Sequence, residues 1–313
     1  MTLLDIQDLN VRFPTSGGTV HASRDVSFGL EPGEMLGLVG ESGCGKSVIG
    51  QAILRLLPPG ARVSGRVVYD GREITALSEA AVHALRGRAI SLIPQNPAGA
   101  LDPVMSNGAQ IAEVFTSLGT SGSSARELSR RLLASVGLEP VDRIARAYPH
   151  QLSGGMRQRL TTSIALGGAP KLIIADEPTK GLDYAARETT ARLLREALAR
   201  EETALLLITH DLHLAEAICD RIAVMYAGEV VEIGPTSRLF NAPRHPYTHG
   251  LIRAIPRNGL VPLPGQSPSL EAVPEGCAFA DRCDVASGRC YDLHPSLDQT
   301  GSGGARCHHP LSL

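Results

Sequence analysis

The order of apolar and polar positions divides the chain into stretches of different periodicity. Residues 3–34 alternate apolar and polar, the apolar positions being Leu4, Ile6, Leu9 and Val11, then Val20, Ala22, Val26, Phe28 and Leu30. Ser16-Gly17-Gly18 and Glu31-Pro32-Gly33 supply turn residues, so the region predicts antiparallel strands. A strand–turn–strand pattern follows from Gly65 to Ile74 around Asp70-Gly71, then a short helix and a strand from Ala89 to Pro94. Residues 106–150 read as helical: Leu128, Leu132 and Val136 recur at helical spacing within Ala125–Val136, and Gly119–Ser124 is a soft loop. A helix from about Ala185 to Arg200, a buried strand Ala204–Thr209 and a hairpin Arg221–Gly234 through Ala227-Gly228 come next. A short helix reaches Ile255, and the proline-rich stretch Pro256–Pro274 predicts a linker without regular structure.

Not every apolar run alternates. Leu172–Ala175 is continuously apolar, as a parallel strand covered on both faces must be. The pattern therefore predicts an α/β fold: a mixed-sheet core with an antiparallel β-subdomain, a helical subdomain over about residues 96–169, and a small cysteine-rich C-terminal extension. The expected division is 1–255 for the main domain and 256–313 for linker and extension.

With 43% hydrophobic residues, the chain has the apolar share of a soluble protein with a real core. Its net charge of −2 and the absence of a dense basic run argue against nucleic acid as the main partner. Apolar runs such as Ala204–Ile208 are too short to cross a bilayer, and Met1-Thr2-Leu3-Leu4-Asp5 has no basic region before an apolar core. The expectation is a cytosolic protein, or one held at a membrane by others. Six cysteines in such a compartment point to metal binding or burial rather than disulfides.

The sharpest chemical signal is Gly40-Glu41-Ser42-Gly43-Cys44-Gly45-Lys46-Ser47, a G-x-x-x-x-G-K-[ST] loop between the apolar run Met35–Val39 and a helix-like run Ser47–Leu57. Its glycines let backbone N–H groups turn inward at a helix start, where an anion is favoured. Lys46 would reach the β- and γ-phosphates and the Ser47 hydroxyl would hold Mg²⁺. The chain has only three lysines, Lys46, Lys171 and Lys180, and one stands where a compact ammonium is needed. Phe13, upstream, reads equally as a ring that stacks on adenine and as a half-buried strand residue.

Acidic groups stand farther along. Asp176 and Glu177 end the apolar strand; Asp176 can hold Mg²⁺ and its waters, and Glu177 can polarise a water in line with the γ-phosphate. Gln95, directly after Ala89–Pro94, can offer its amide oxygen to Mg²⁺ or to the attacking water. His210, after Ala204–Thr209, is a candidate γ-phosphate contact. A second anion-seeking helix start is formed by Ser153, Gly154 and Gly155, which open a helix running to about Leu166.

In this order, the phosphate loop, Gln95, Leu152–Gln158, Asp176-Glu177, Gly181-Leu182-Asp183 and His210 resemble the nucleotide-binding subunits of ABC transporters over about residues 3–255. The resemblance implies a P-loop NTPase of ABC type in which two subunits face head to tail. ATP on one phosphate loop is then closed over by Ser153 and Gly155 of the other subunit, and Asp183 joins the nucleotide contacts. Gln95-Asn96-Pro97, Leu101–Met105 and Arg244-His245-Pro246-Tyr247-Thr248 are similar to the oligopeptide/dipeptide/nickel importer branch. That likeness implies two transmembrane permease subunits, a second ATP-binding subunit (identical or related), an extracytoplasmic solute-binding protein, and a peripheral location at the cytoplasmic face of the membrane. Lys180 departs from the family, which more often has a small residue before this Gly-Leu-Asp; it places a positive charge near the partner's nucleotide.

Cys277, Cys283, Cys290 and Cys307 fall in the tail with Phe279, Arg282, Pro295 and His308, as in that branch, some of whose members carry an iron–sulfur cluster on the four cysteines. On chemistry alone, four thiols suit a [4Fe–4S] cluster, Zn²⁺, or a small satellite core of reduced side chains. Their C-x5-C-x6-C-x16-C spacing matches no short local ligand loop, so fold contacts would have to gather them. Cys44 and Cys219 read as small apolar fillers. Two other classes remain open, a soluble ABC ATPase and a metal-sensing regulatory module built on the tail. The transported solute, whether peptide, nickel or a metal chelate, is not encoded in this chain.

Overall fold

The computed structural model describes residues 2–182, 184–201, 203–300 and 303–312. It divides into two compact units, Met1–Leu77 with Leu207–Leu313, and Ser78–Leu206. The expectation for Asp183 lies outside the described residues.

In the first unit the alternating N-terminal segment forms an antiparallel sheet, in the order Gly18–Leu30, Leu4–Thr15, Arg62–Tyr69 and Arg72–Glu73. Leu4 pairs with Leu30 and Thr15 with Gly18; Leu4 and Ile6, then Leu9 and Val11, are buried, a register shift between Ile6 and Leu9, where Asp8 takes φ 48°, returning the alternation to the same face. Met35–Val39 is a second, fully different kind of strand. It runs parallel to Arg221–Tyr226, Leu36 opposite Arg221 and Val39 opposite Val224. Arg221–Tyr226 turns through Ala227 (φ 47°) and Gly228 (φ 87°) into the antiparallel strand Glu229–Pro235.

The cysteine-rich extension belongs to this same unit. Two short strands, Asp298–Thr300 and Gly303–Ala305, extend the sheet beyond Glu229–Pro235, with Glu232 opposite Ala305 and Ile233 opposite Gly304. Neither was expected: Gly303-Gly304 gives no β-forming side chains, and the pairing is made by an exposed edge rather than by propensity. A helix at Thr236–Asn241 also went unexpected. The helix after the phosphate loop is shorter than its apolar run, ending at Ile53 rather than Leu57; Arg55 turns to φ 51° ahead of Pro58-Pro59, which cannot continue a helix. Apart from a 3₁₀ turn at Pro256–Asn258, the proline-rich linker is irregular, as expected.

The second unit holds the parallel strands Ile90–Ile93 and Leu172–Asp176, Ile93 opposite Ala175, and the helices Asn107–Ser117, Gly122–Ser135, Val141–Arg146, Gly154–Leu166 and Tyr184–Glu201. At the Leu206–Leu207 bond, within the strand Ala204–Thr209, the chain passes back into the first unit. The helices close on Leu101, Ile111, Leu133, Val136, Leu138, Ile144, Leu152 and Leu160. Asn107 is buried among them, and its amide donates to the Ile144 carbonyl at 3.0 Å. Gln110 pins the preceding loop, donating to the carbonyls of Asp102 and Met105 and accepting from Asp102 N–H.

Leu133 is fully buried in this cluster. Leu133→Ala should destabilise the helical unit by about 2–5 kcal/mol, read as a lowered midpoint in urea-induced unfolding.

Candidate functional site

The phosphate loop follows from the register of two strands. Val39 lies opposite Val224, and the residue after it, Gly40, leaves the strand packed against Met225. At two points the loop comes too close to its neighbours for a side chain. A Cβ on Gly40 (φ 155°) would stand 2.1 Å from the Met225 carbonyl oxygen, and one on Gly45 (φ 102°) 1.9 Å from that of Ala22. Gly45 is the N-cap of the helix Lys46–Ile53, and the Gly228 N–H donates to the Cys44 carbonyl at 3.1 Å.

Lys46 is 6% exposed, and its ammonium donates to the carbonyls of Gly40 and Glu41, both at 2.8 Å. Ser47, the first turn's hydroxyl, is half-buried, while Ser42 and Gly43 are exposed at the loop's crest. Cys44 is buried; desolvation raises its thiol pKa, which agrees with an inert filler. Phe13 is partly buried and pairs across the hairpin with Val20. His210 is exposed at the end of Ala204–Thr209, where Asp211 caps the next helix by accepting from His213 and Leu214 N–H.

The parallel pairing in the second unit carries Gln95 and the two acids to one strand end. Gln95 is exposed; Asp176 and Glu177 are 8% and 6% exposed. Glu177 adopts φ 50°, a left-handed backbone that non-glycine residues seldom take. Lys180 is exposed in the turn that follows, its N–H bonded to the Glu177 carbonyl at 3.0 Å. Ser153 is the N-cap of the helix Gly154–Leu166 and accepts from Met156 N–H at 3.3 Å. A substituent on Gly154 would meet nothing within 4 Å, so this helix start is open.

Comparison with known proteins places these pieces. Residues 23–180 match the ABC transporter family model, and residues 231–290 match the C-terminal region of oligopeptide/dipeptide transporters. The chain belongs to the ABC transporter family. It is an ATP-binding cassette, and its reaction is ATP hydrolysis. The dipeptide transport ATP-binding protein DppD of Bacillus subtilis is 42% identical over 302 residues, 94% of this chain and 90% of that one. The oligopeptide transport ATP-binding protein OppD of Salmonella typhimurium is 41% identical, covering 99% of this chain and 94% of its own. A dimeric ATP-binding cassette solved in a post-hydrolysis state with ADP and Pi superimposes with a TM-score of 0.68 at 25% identity, over 74% of this chain and 98% of that one.

The cassette's tail is built around its cysteines. Cys277, Cys283, Cys290 and Cys307 line one small cavity together with His245, Phe279 and His308. Among the described residues no three His, Cys, Asp or Glu side chains are gathered as a single metal ion requires. Burial raises the thiol pKa of Cys277 and Cys283 and pushes that of Cys307 to about 11. His245 is fully buried and held neutral, its pKa lowered to about 3 by desolvation, and its Nδ1 accepts from Tyr247 N–H.

Glu41, Tyr226, Tyr247 and Arg282 meet at the phosphate loop, a partnership the sequence did not signal, Tyr247 and Arg282 having carried only the family likeness. Arg282, from the tail, meets both carboxylate oxygens of Glu41 at 2.9 Å and Tyr226 Oη at 3.2 Å. Only the position of Glu41 inside the loop hinted at it. Burial raises the Glu41 pKa, but hydrogen bonds from Arg282 and Ser267 and the charges of Arg282 and Lys46 outweigh it, and the net shift is downward.

A carboxylate with a depressed folded pKa stabilises fully above its unfolded value and loses that contribution as pH falls through the folded one. Thermal melts between about pH 3 and pH 7 should therefore show the gap between wild type and Glu41→Gln shrinking below about pH 4.3.

Proposed function

We propose that this cassette is the ATP-hydrolysing subunit of an importer for di- or oligopeptides, working as one half of a head-to-tail pair. The reading is carried by the match of residues 231–290 to the oligopeptide/dipeptide transporter C-terminal region, joined in one chain to a complete phosphate loop. Relatives named for dipeptide and oligopeptide transport along nearly the whole length support peptides over nickel or a metal chelate. They equally favour an importer over a soluble ABC ATPase or a metal-sensing module. The chain would work at the cytoplasmic face of the membrane, bound to two transmembrane permease subunits and served by an extracytoplasmic solute-binding protein. Among its described residues no helix is long and apolar enough to cross a membrane itself.

Within the site, Lys46 and the loop N–H groups neutralise phosphate charge. Ser47, Asp176 and Gln95 offer hydroxyl, carboxylate and amide oxygens, a hard donor set that fits Mg²⁺, which supplies further charge neutralisation when bound. Glu177 takes the proton side of the reaction, polarising the attacking water, and His210 contacts the γ-phosphate. Gly40, Ser42, Gly43, Cys44 and Gly45 cradle the phosphates by backbone, and Phe13 stacks on adenine. Ser153, Gly154 and Gly155 of one subunit would close over the nucleotide of the other, with Asp183 at the same interface. Functionally the division is 1–255 for nucleotide work, its helical part at about 96–169 facing the permease, and 256–313 for the extension.

We infer that the four cysteines lining one cavity hold a [4Fe–4S] cluster, with Zn²⁺ as the alternative occupant. Raised thiol pKa values leave the thiolates dependent on added positive charge. Such a cluster would staple the tail.

Glu177→Gln should bind MgATP and dimerise yet hydrolyse at least about a hundredfold more slowly in the permease-bound complex; undiminished turnover would remove Glu177 from its role. Anaerobically purified protein should carry close to equal iron and acid-labile sulfide, and zinc in their place would reverse the assignment of the cavity.

A further inference from the structure

The phosphate loop has a second support that the cassette's own chemistry does not require. Glu41, its second residue, is gripped from three directions by C-terminal segments of the same unit. Its N–H donates to Tyr247 Oη at 3.0 Å, Ser267 Oγ bonds its carboxylate, and the Arg282 guanidinium takes both carboxylate oxygens at 2.9 Å. The arginine is itself fixed. Its side chain is 5% exposed, Nε donates to the Pro264 carbonyl at 2.7 Å, and its guanidinium carbon stands 5.6 Å from the ring centres of Tyr226 and Phe279. A planar fork so held sets the direction as well as the distance of its partner.

What Glu41 passes on is the position of Lys46. The ammonium rests on the carbonyls of Gly40 and Glu41, so moving this peptide moves the charge that the phosphates meet. We propose that Arg282 is a positioning residue of the nucleotide site: by clamping Glu41 it fixes the carbonyl platform under Lys46, and it makes the cysteine-bearing extension a working part of ATP binding. The proposal rests on the reading of Gly40–Ser47 as the ATP phosphate cradle. Cys283 follows Arg282 directly, and Phe279, one wall of the thiol cavity, packs on Tyr226 and Tyr247 with ring centres 5.3 and 5.4 Å away. Whatever orders the cavity thus orders the clamp.

An exposed ion pair would contribute little, but removing Glu41 here leaves the buried Arg282 charge unmatched. The test is equilibrium binding of a fluorescent MgATP analogue to the purified full-length chain, with far-UV circular dichroism as the folding control. Lys46→Ala should abolish binding. Arg282→Gln and Glu41→Gln should each weaken it about tenfold, the double substitution no more than either alone, and Arg282→Lys should recover part of the loss. Wild-type affinity in folded Arg282→Gln and Glu41→Gln, with Lys46→Ala inactive, overturns the role of Arg282 alone; independent, multiplicative losses overturn it as well. Wild-type affinity in Lys46→Ala overturns the cradle and the clamp together. Should Arg282→Gln not fold, Glu41→Gln decides by the same tenfold criterion.

Discussion

The nucleotide unit depends on a close approach of backbone to backbone. Two parallel strands in fixed register deliver Gly40 beside Met225, and the returning loop lays Gly45 on the Ala22 carbonyl. No side chain fits at either point, so the chain must turn with its N–H groups inward, at the start of the helix Lys46–Ile53. The anion site is a consequence of this crowding. Lys46 can be nine-tenths buried and charged only because the same crowded turn offers it two carbonyls.

The same unit contains a second centre of order, the carboxylate of Glu229. It is 3% exposed at the start of the returning hairpin strand and lies 3.2 Å from Arg24, 2.9 Å from His294 and 4.0 Å from Arg306. Arg24 belongs to the N-terminal sheet, while His294 and Arg306 belong to the tail, so one buried acid joins three parts of the sequence. Glu232, three residues along the strand and past a register shift after Val230, accepts from the N–H groups of Arg244 and His245. This fixes the start of the helix Pro246–Arg253 and explains the Arg-His-Pro-Tyr-Thr motif physically: a capped helix start, with Tyr247 delivered to the phosphate loop.

The sequence made legible what depends on local periodicity or on residue types that the backbone demands. The alternation of Leu4, Ile6, Leu9 and Val11 named the N-terminal sheet, the continuous apolar run before Asp176 named a buried parallel strand, and Ala227-Gly228 named the turn. The phosphate loop was legible because glycine is irreplaceable in it. Partnerships across long separations were not. Glu41 and Arg282 are 241 residues apart, and neither residue type announces a partner. The left-handed backbone of Glu177 has no signature either, since glutamate does not favour it.

The cysteines show why spacing alone left the tail open. Cys277 and Cys290 are drawn together by a backbone bond from the Cys277 N–H to the Cys290 carbonyl at 2.7 Å. Cys307 arrives by another route: Gly303–Ala305 pairs with Glu229–Pro235, Arg306 N–H bonds the Val231 carbonyl, and the next residue is set at the cavity wall. His308 bonds the Leu293 carbonyl at 2.8 Å and His309 the Ser287 hydroxyl at 2.7 Å, closing the last loop over the thiols. A ligand loop encoded locally would bring its thiols together wherever it was placed. Here the sheet that carries the phosphate loop delivers one of the four, Cys307, so the cavity is completed only where the tail pairs with Glu229–Pro235.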